Sequence, residues 1–390
     1  MSETVHIPQL RFPEFSGEWE EKSVGDVLTI GSGRDYKHLN NGDIPVYGTG
    51  GYMTSVDRFL YDGESVCIGR KGTIDKPVLI DGKFWTVDTL FYTHSFIDLL
   101  PKFLFPIFKR INWKKYNEAS GVPSLSKSTI EKIKLSLPDL PEQQKIAAFL
   151  TAVDNKIEQL SKKQELLGEY KKGLMQQIFS QAIRFKADDG SEFPEWEEKR
   201  LGDIGEFKTS SVDKKIVEGQ KLIQLVNYMN VYKHENISNA STKDLMTVSA
   251  NETQLNSSNL RKGDILFTPS SETPDDIGHS VVIFEDLRDT LYSYHLMRFR
   301  PTIKLDILYS HYFCNISDVL RQVSRVATGS TRFTISVGEF SKILVNLPSL
   351  PEQTKIANFL SFIDNKIEQV GKQLDESKQF KKALLQQMFV

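Results

Sequence analysis

Cysteine is nearly absent from this chain. Only Cys67 and Cys314 occur, far apart, and neither lies in a C-x-x-C or Cys/His-rich spacing, so neither a disulfide framework nor a cysteine-based zinc site is expected. The seven histidines, His6, His38, His94, His234, His279, His295 and His311, show no metal-ligand spacing either. Charge of one sign is also lacking. Forty-nine basic and 51 acidic side chains leave a net charge of −2, so local patches, not the whole-chain balance, must decide whether the partner is a polyanion. No apolar run approaches the roughly 18 to 20 residues of a membrane span, and MSETVHIPQLRFPEF has no basic-then-apolar signal pattern. A cytoplasmic protein without membrane association is expected.

Catalytic signatures are missing as well. The glycines of GTGGYM, Gly48 to Met53, are not part of a Walker G-x-x-x-x-G-K-[ST] and no helical pattern follows them. There is no G-x-S-x-G elbow and no Asn-Pro-Pro-Tyr-like tetrapeptide of the amino-methyltransferase kind. Pro138-Asp139 with Glu142 and Lys145 faintly resembles a nuclease carboxylate-lysine site. These residues lie at a helix start, however, and Ser349 replaces Asp139 in a second copy, so helix capping is the better reading.

That second copy is the strongest signal present. LPDLPEQQKIAAFLTAVDNKIEQL, Leu137 to Leu160, returns as LPSLPEQTKIANFLSFIDNKIEQV, Leu347 to Val370, with 17 of 24 positions identical. The start of the unit is repeated too, FSGEWEEKSVGDV at 15 to 27 against FPEWEEKRLGDI at 193 to 204, pairing Trp19 with Trp196, each read as a core anchor or domain lid. Two whole units are therefore expected, with constant ends and divergent middles.

Each middle reads as a mixed α/β globule of short apolar strands punctuated by glycine. The first has strands at 44 to 48, 65 to 69, 77 to 80 and 85 to 93 and a helix over 103 to 116. The second has strands at 221 to 229, 263 to 269, 280 to 284 and 291 to 299 and a helix over 307 to 326. LSKSTIEKIKLSLP, 125 to 138, and ISVGEFSKILVNLP, 335 to 348, each predict a short helix and then a strand.

A long helix follows each globule. Pro141 and Pro351 suit a first helical turn, and Glu142 and Glu352 suit the positive end of the dipole. Ile146, Leu150, Val153, Ile157, Leu160, Leu167, Leu174 and Ile178 make a heptad seam interrupted by Gln164 and Lys171. Ile356, Leu360, Ile363, Ile367, Val370, Leu374, Leu384 and Met388 make its duplicate, interrupted by Ser377 and Lys381. A helix of nearly 40 residues spans about 57 Å at roughly 1.5 Å per residue, too long to be buried on a small globule. Its duplicate is the nearest partner. The expected architecture is α+β: two mixed α/β globules, 1–140 and 183–349, joined by two long antiparallel coiled-coil helices, 141–182 and 350–390, in a pseudo-twofold repeat. The acidic stretch 185 to 198 reads as the linker.

Binding signals sit on glycine-framed loops. Arg34, Tyr36, Lys37 and His38 follow a Gly-Ser-Gly turn, Tyr47 and Tyr52 flank a glycine cluster, and Arg70-Lys71-Gly72 lies between two strands. Lys102 to Lys134 holds eight basic residues, Lys127 among them, against Glu118 and Glu131. In the second unit the candidates are Lys208, Lys214, Lys215, Gln224, Asn227, Tyr228, the Ser270-Ser271 loop and Arg332. Basic and aromatic groups on such loops suit DNA, because Arg and Lys neutralise phosphate and Arg can also bind the guanine edge in bidentate fashion.

The two LP-x-LPEQ-x-KIA-x-FL segments with DNKIEQ after them, the repeated WEEK-x-x-GD, and GRKGTI and VDTLF at 69 to 74 and 87 to 91 make the chain resemble the specificity subunit of type I restriction-modification systems. The resemblance implies that each globule is a target recognition domain reading one half of a split, asymmetric site in double-stranded DNA. It implies that the helix pair spaces the halves and holds two modification subunits, joined by restriction subunits. It places adenine methylation with S-adenosylmethionine, and ATP- and Mg-dependent translocation and cleavage, on those partners, leaving this chain non-catalytic and without a cofactor. The alternative is a coiled-coil scaffold whose globules bind proteins.

Overall fold

The computed structural model describes residues 6–390, so the first five residues of the 1–140 globule lie outside the described residues. The repeated ends of each globule meet in space. Glu20–Ser23 pairs antiparallel with Lys134–Leu137, and Glu197–Arg200 pairs in the same way with Leu344–Leu347. The WEEK and LP segments are thus two strands of one collar, and each globule is the chain inserted between them. A four-residue helix follows the first collar strand in both cases, Val24–Val27 and Leu201–Ile204.

Behind the divergent sequences lies a shared topology. The first globule has an antiparallel sheet in the order Thr29–Ser32, Leu90–His94, Ser65–Gly69, Val78–Ile80, matched in the second by Gly205–Thr209, Met297–Pro301, Ile265–Phe267, Ser280–Val282. Beside it, Asn41–Gly48 runs antiparallel to Gly51–Val56 and parallel to Lys83–Thr86. Lys221–Val226 likewise runs antiparallel to Met246–Ala250 and parallel to Thr290–Tyr292. Ser65–Gly69 is buried along its whole length, which is why it reads as an unbroken run rather than an alternation. Cys67 and Cys314 are both buried free thiols, and burial pushes Cys67 up to about 12.

Several predicted elements are shorter than their patterns. The runs 85 to 93 and 291 to 299 are each two strands, broken at 87–89 and 293–296. The helix expected over 307 to 326 is two, Ile307–Phe313 and Ser317–Val326. Asn315 ends the first by donating to the His311 carbonyl (3.1 Å), and its side-chain oxygen accepts from Ser280 (3.1 Å). The helix expected over 103 to 116 is Pro101–Arg110 followed by a 3-10 turn, Trp113–Tyr116.

The long helices are Leu140–Phe179 and Leu350–Gln387. The chain forms two compact units, residues up to Lys162 with Gly371–Val390, and Lys163–Val370, so each unit owns the opposite halves of the two helices. In the first, Ile146 and Leu150 share a core with Trp19, Phe103, Leu384 and Met388, and in the second Ile356 and Leu360 share one with Ile178 and Phe340. This pairing is antiparallel. Leu160, Ile363, Val370 and Leu374 are buried, and Val153, Ile157 and Ile367 are half-buried. The polar interruptions of the seam are used: Lys171 pairs with Asp364 at 2.5 Å, and Lys381 pairs with Asp154, the equivalent residues of the duplicate.

Each long helix begins in a clamp. Glu142 is 1% exposed and takes two guanidinium bonds from Arg11 (2.8 and 2.6 Å); Glu352 is fully buried and takes two from Arg184 (3.3 and 3.1 Å). Asp139 caps the first helix by accepting from the Glu142 N–H at 3.1 Å, as the capping reading requires. Gln143 donates to the carbonyls of Asp98 and Pro138 and accepts from Leu100 N–H. Gln353 repeats this with Pro348 and Asp306. Phe12 meets Phe149 edge-on at 5.7 Å, and Phe185 meets Phe359 at 5.5 Å. The stretch expected as a plain linker from residue 185 is therefore anchored at its start, because Arg184 and Phe185 lock onto the second helix.

Candidate nucleic-acid interface

In the first unit the sequence-predicted residues collect around the short link Val87-Asp88-Thr89 between two strands. Val87 N–H donates to the Tyr47 carbonyl (3.0 Å) and Leu90 N–H to the Val87 carbonyl (2.9 Å), so the link is a pinned turn. Arg34 N–H donates to Thr86 (2.8 Å) on one side and Arg70 N–H to Thr89 (2.8 Å) on the other. Glycine makes this approach possible: a Cβ on Gly33 would stand 1.9 Å from the Val87 carbonyl oxygen, and one on Gly69 would stand 2.0 Å from that of Thr73.

Trp85 Nε1 donates to the Arg34 carbonyl (2.8 Å) and holds the Arg34–His38 loop. Arg70 places its guanidinium 5.8 Å from the Phe91 ring centroid and reaches the Asp88 carbonyl (3.4 Å). Tyr47 and Tyr52 are register partners across a hairpin with rings 6.3 Å apart, and Tyr52 is 62% exposed. Lys71 bridges to Ser124 through the backbone. Tyr36 packs on the small core of Val46 and Trp85, while Arg34, Lys37 and Lys71 are exposed. Among the described residues, none of these three forms an ion pair within the protein. Lys127 is not part of this group. It stands near His94, at the far end of strand Leu90–His94, where burial and then Lys127 hold the imidazole below its ordinary value.

The second unit builds the same corner with other side chains. Ser293 N–H donates to the Val226 carbonyl (2.9 Å) and Leu296 N–H to the Ser293 carbonyl (3.0 Å), so 293–296 repeats the turn at 87–90. It displays Tyr294, 46% exposed, and half-buried His295, their rings 3.9 Å apart. Burial, then Lys214 and Arg332, hold His295 below its ordinary value, with Asp213 opposing. Lys214 and Arg332 therefore both belong to this corner. Tyr228 belongs as well: it stacks on Tyr232 at 5.8 Å, and its hydroxyl is raised first by burial, with Arg332 opposing.

One expectation needs correction here, and two further candidates are engaged within the protein. Ser270-Ser271 is not an open loop; both residues are buried as a two-residue strand against Phe333–Thr334, and Ser270 Oγ accepts from Arg332 (3.2 Å). Asn227 is the cap of helix Tyr228–Tyr232, accepting from Met229 N–H (3.0 Å), so its amide oxygen is engaged. Lys215 is paired with Asp213 at 2.8 Å. Lys208 is exposed on the strand leading into the corner, and its carbonyl accepts from the Tyr292 hydroxyl (3.0 Å). Gln224 reaches Thr247 (3.3 Å).

Tyr294 and His295 went unpredicted. The signal available was positional: SYH follows the strand LY as VDT follows WT, but no shared letters mark it. No group of three or more His, Cys, Asp or Glu side chains could hold a metal ion among the described residues, and no helix there is long and apolar enough to cross a membrane.

Fold and corner together define an internally duplicated recognition protein, with a constant helical frame and two basic, aromatic surfaces of different composition. A model of the family described as type I restriction modification DNA specificity domain matches residues 16–167 and 194–377. The chain belongs to that family, the DNA sequence-specificity subunits of type I restriction-modification systems. It is 25% identical over 342 residues to the type I restriction enzyme MjaVIII specificity subunit of Methanocaldococcus jannaschii, covering 84% of this chain and 76% of that one. Its fold matches the type I restriction-modification S subunit from M. genitalium with a TM-score of 0.62 at 16% identity, covering 98% and 99% of the two chains. It also matches a chain from a study of complex assembly and conformational transition of the type I R-M system, with a TM-score of 0.55 at 16% identity and 94% and 96% coverage.

Proposed function

We propose that the globules at 1–140 and 183–349 each read one half of a bipartite, asymmetric site in double-stranded DNA. The helices at 141–182 and 350–390 set the gap and dock two methyltransferase subunits, to which restriction subunits attach. In this reading the chain is cytoplasmic and performs no chemistry. S-adenosylmethionine, ATP and Mg act on the partner subunits, and this chain's residues bind and orient the duplex. Arg34, Lys37 and Lys71 in one corner, and Lys214 and Arg332 in the other, neutralise phosphate or bind guanine, while Tyr52 and Tyr228 present aromatic surface to the groove.

The supporting observation is that the same pinned turn carries different side chains in the two units, on a frame that is otherwise repeated. Different chemistry at an equivalent place predicts two different half-sites. The test is methylome sequencing of a host carrying only this subunit and its modification partner. One interrupted asymmetric motif is the expected result, and the absence of any defined bipartite motif sinks the reading. A protein-binding scaffold is separated by salt: phosphate contact weakens steeply as salt rises.

A further inference from the structure

The two units compensate a carboxylate differently in the connection between equivalent strands. In the first unit, 70–77 joins Ser65–Gly69 to Val78–Ile80 without a histidine, and its Asp75 pairs with Lys114 at 3.2 Å. In the second, 268–279 joins Ile265–Phe267 to Ser280–Val282, and Asp276 meets a histidine instead. His279 Nε2 lies 2.9 Å from one carboxylate oxygen, and the Tyr232 hydroxyl donates to the other (3.1 Å). His279 Nδ1 lies 3.2 Å from His234 Nε2, and His234 Nδ1 lies 3.0 Å from the Ser280 carbonyl oxygen. The carbonyl and the carboxylate at the two ends both accept, so each of the three links needs a hydrogen, whereas two neutral imidazoles bring only two. With two, the facing ring nitrogens set lone pair against lone pair. The array Asp276–His279–His234 is therefore complete with one added proton, which also cancels the Asp276 charge.

This array adjoins the second corner. Tyr232 stacks on Tyr228 at 5.8 Å, and the Tyr228 hydroxyl, raised first by burial, is raised further by Asp276 and lowered by Arg332. Of the carboxylates nearby, Glu272 acts on Tyr232, Asp275 accepts from Ser324 (3.0 Å) and Glu235 accepts from Asn230 (2.6 Å). On the cationic side stand exposed Lys233 and Arg325, and His311, which is held down first by burial and last by His234. A phosphate that meets Arg332 also feels whether Asp276 is compensated. Resting on the DNA-reading function above, we propose that His234 and His279 share a proton that cancels Asp276 while the second unit holds DNA, so that binding at this half-site is linked to proton uptake. Both are positioning residues, acting through Asp276 on the Arg332 surface. Affinity is therefore greatest at the acid end of about pH 5 to 8, the range in which imidazoles change charge, and falls as pH rises.

The experiment uses the complete complex with its modification subunits and a duplex carrying the methylated motif. Failure to find a motif counts against the DNA-reading function itself rather than against the histidine pair. Binding calorimetry at about pH 8, in buffers of different ionisation enthalpy, counts the protons taken up and needs no variant. Wild type is expected to take up about one proton and to lose roughly tenfold affinity between about pH 6 and 8. Asp276→Asn, which removes the charge, is expected to keep the acid-end affinity throughout and to abolish the uptake. His279→Gln, which leaves the charge uncompensated, is expected to stay at the alkaline-end affinity throughout, again without uptake. His38→Gln, His295→Gln and His311→Gln are expected to keep the uptake whatever they do to affinity. Binding of the motif by wild type without proton uptake overturns the assignment. Uptake that survives Asp276→Asn or His279→Gln, or that vanishes in one of the other three histidine variants, also overturns it, since the proton then sits elsewhere.

Discussion

The two units differ least where they hold the helices and most where they meet solvent at the corner turn. In the frame, equivalent residues make equivalent contacts: Phe389 lies edge-on to Trp19 at 6.3 Å and Phe179 to Trp196 at 6.3 Å, and Glu142 and Glu352 are clamped alike. At the corner, the first unit carries Asp88 between two arginines, and the second carries Tyr294 and His295 beside Lys214 and Arg332. Buried carboxylates and aromatic anchors have few acceptable substitutes, since each must satisfy several neighbours at once. An exposed side chain on a pinned turn answers only to its ligand.

The largest expected effect breaks the symmetry of the aromatic anchors. Phe389→Ala should cost about 4 kcal/mol, the range for a buried aromatic truncation, since Phe389 is buried against both Trp19 and Phe103. Phe179→Ala should cost less, because Phe179 is half-buried. Denaturation melts of the two variants against wild type check the order. Next come the clamps: Arg11→Ala or Arg184→Ala strands a buried carboxylate and should cost about 3 kcal/mol each. Equal losses in the two units would sharpen the claim that the frame is a true repeat; one silent variant would break it.

A smaller difference is expected at the seam. Asp364 accepts from Lys171 (2.5 Å) and from the Tyr312 hydroxyl (2.8 Å), whereas Asp154 accepts from Lys381 at the seam. Asp364→Asn should therefore cost about 1 kcal/mol after solvent screening, and Asp154→Asn less, as read by urea midpoints.

The smallest effect is acid sensitivity. Burial and then Lys171 hold His311 below its ordinary value, so the folded chain binds fewer protons there than the unfolded chain. The stability it contributes is full above about 6.5 and falls as pH drops below that value toward its folded pKa. His311→Phe should flatten that part of the pH profile of the melting temperature.

Much of the frame was legible because duplication writes it twice. The helices, the heptad seams and the second collar strands could be aligned at an offset of 210 residues and the first collar strands at 177, and Lys171 and Lys381 already stood out as paired interruptions. The clamps were not legible. Arg11-Phe12 and Arg184-Phe185 are separated by 173 residues rather than 210, so the alignment that revealed the helices passed over them. At the corner, Arg34, Arg70 and Arg332 were found by type alone. Ser270, Ser271 and Asn227 looked like loop donors, but backbone pairing and helix capping engage them. Tyr294 and His295 were missed because only strand order, invisible in the letters, gives them the place in the second unit that Val87–Thr89 holds in the first.

The collar has one more consequence. Because Glu20–Ser23 lies alongside Lys134–Leu137, and Glu197–Arg200 alongside Leu344–Leu347, the chain leaves and re-enters the frame at neighbouring points of one ladder. Everything from Val24 to Ile133, or from Leu201 to Ile343, is a cassette whose two ends share a single socket. A foreign globule that closes its termini onto the same two strands leaves the Arg11–Glu142 and Arg184–Glu352 pairs in place, and exchange of whole inserts is expected to change sequence preference provided the new insert again offers partners to Gln143 and Gln353.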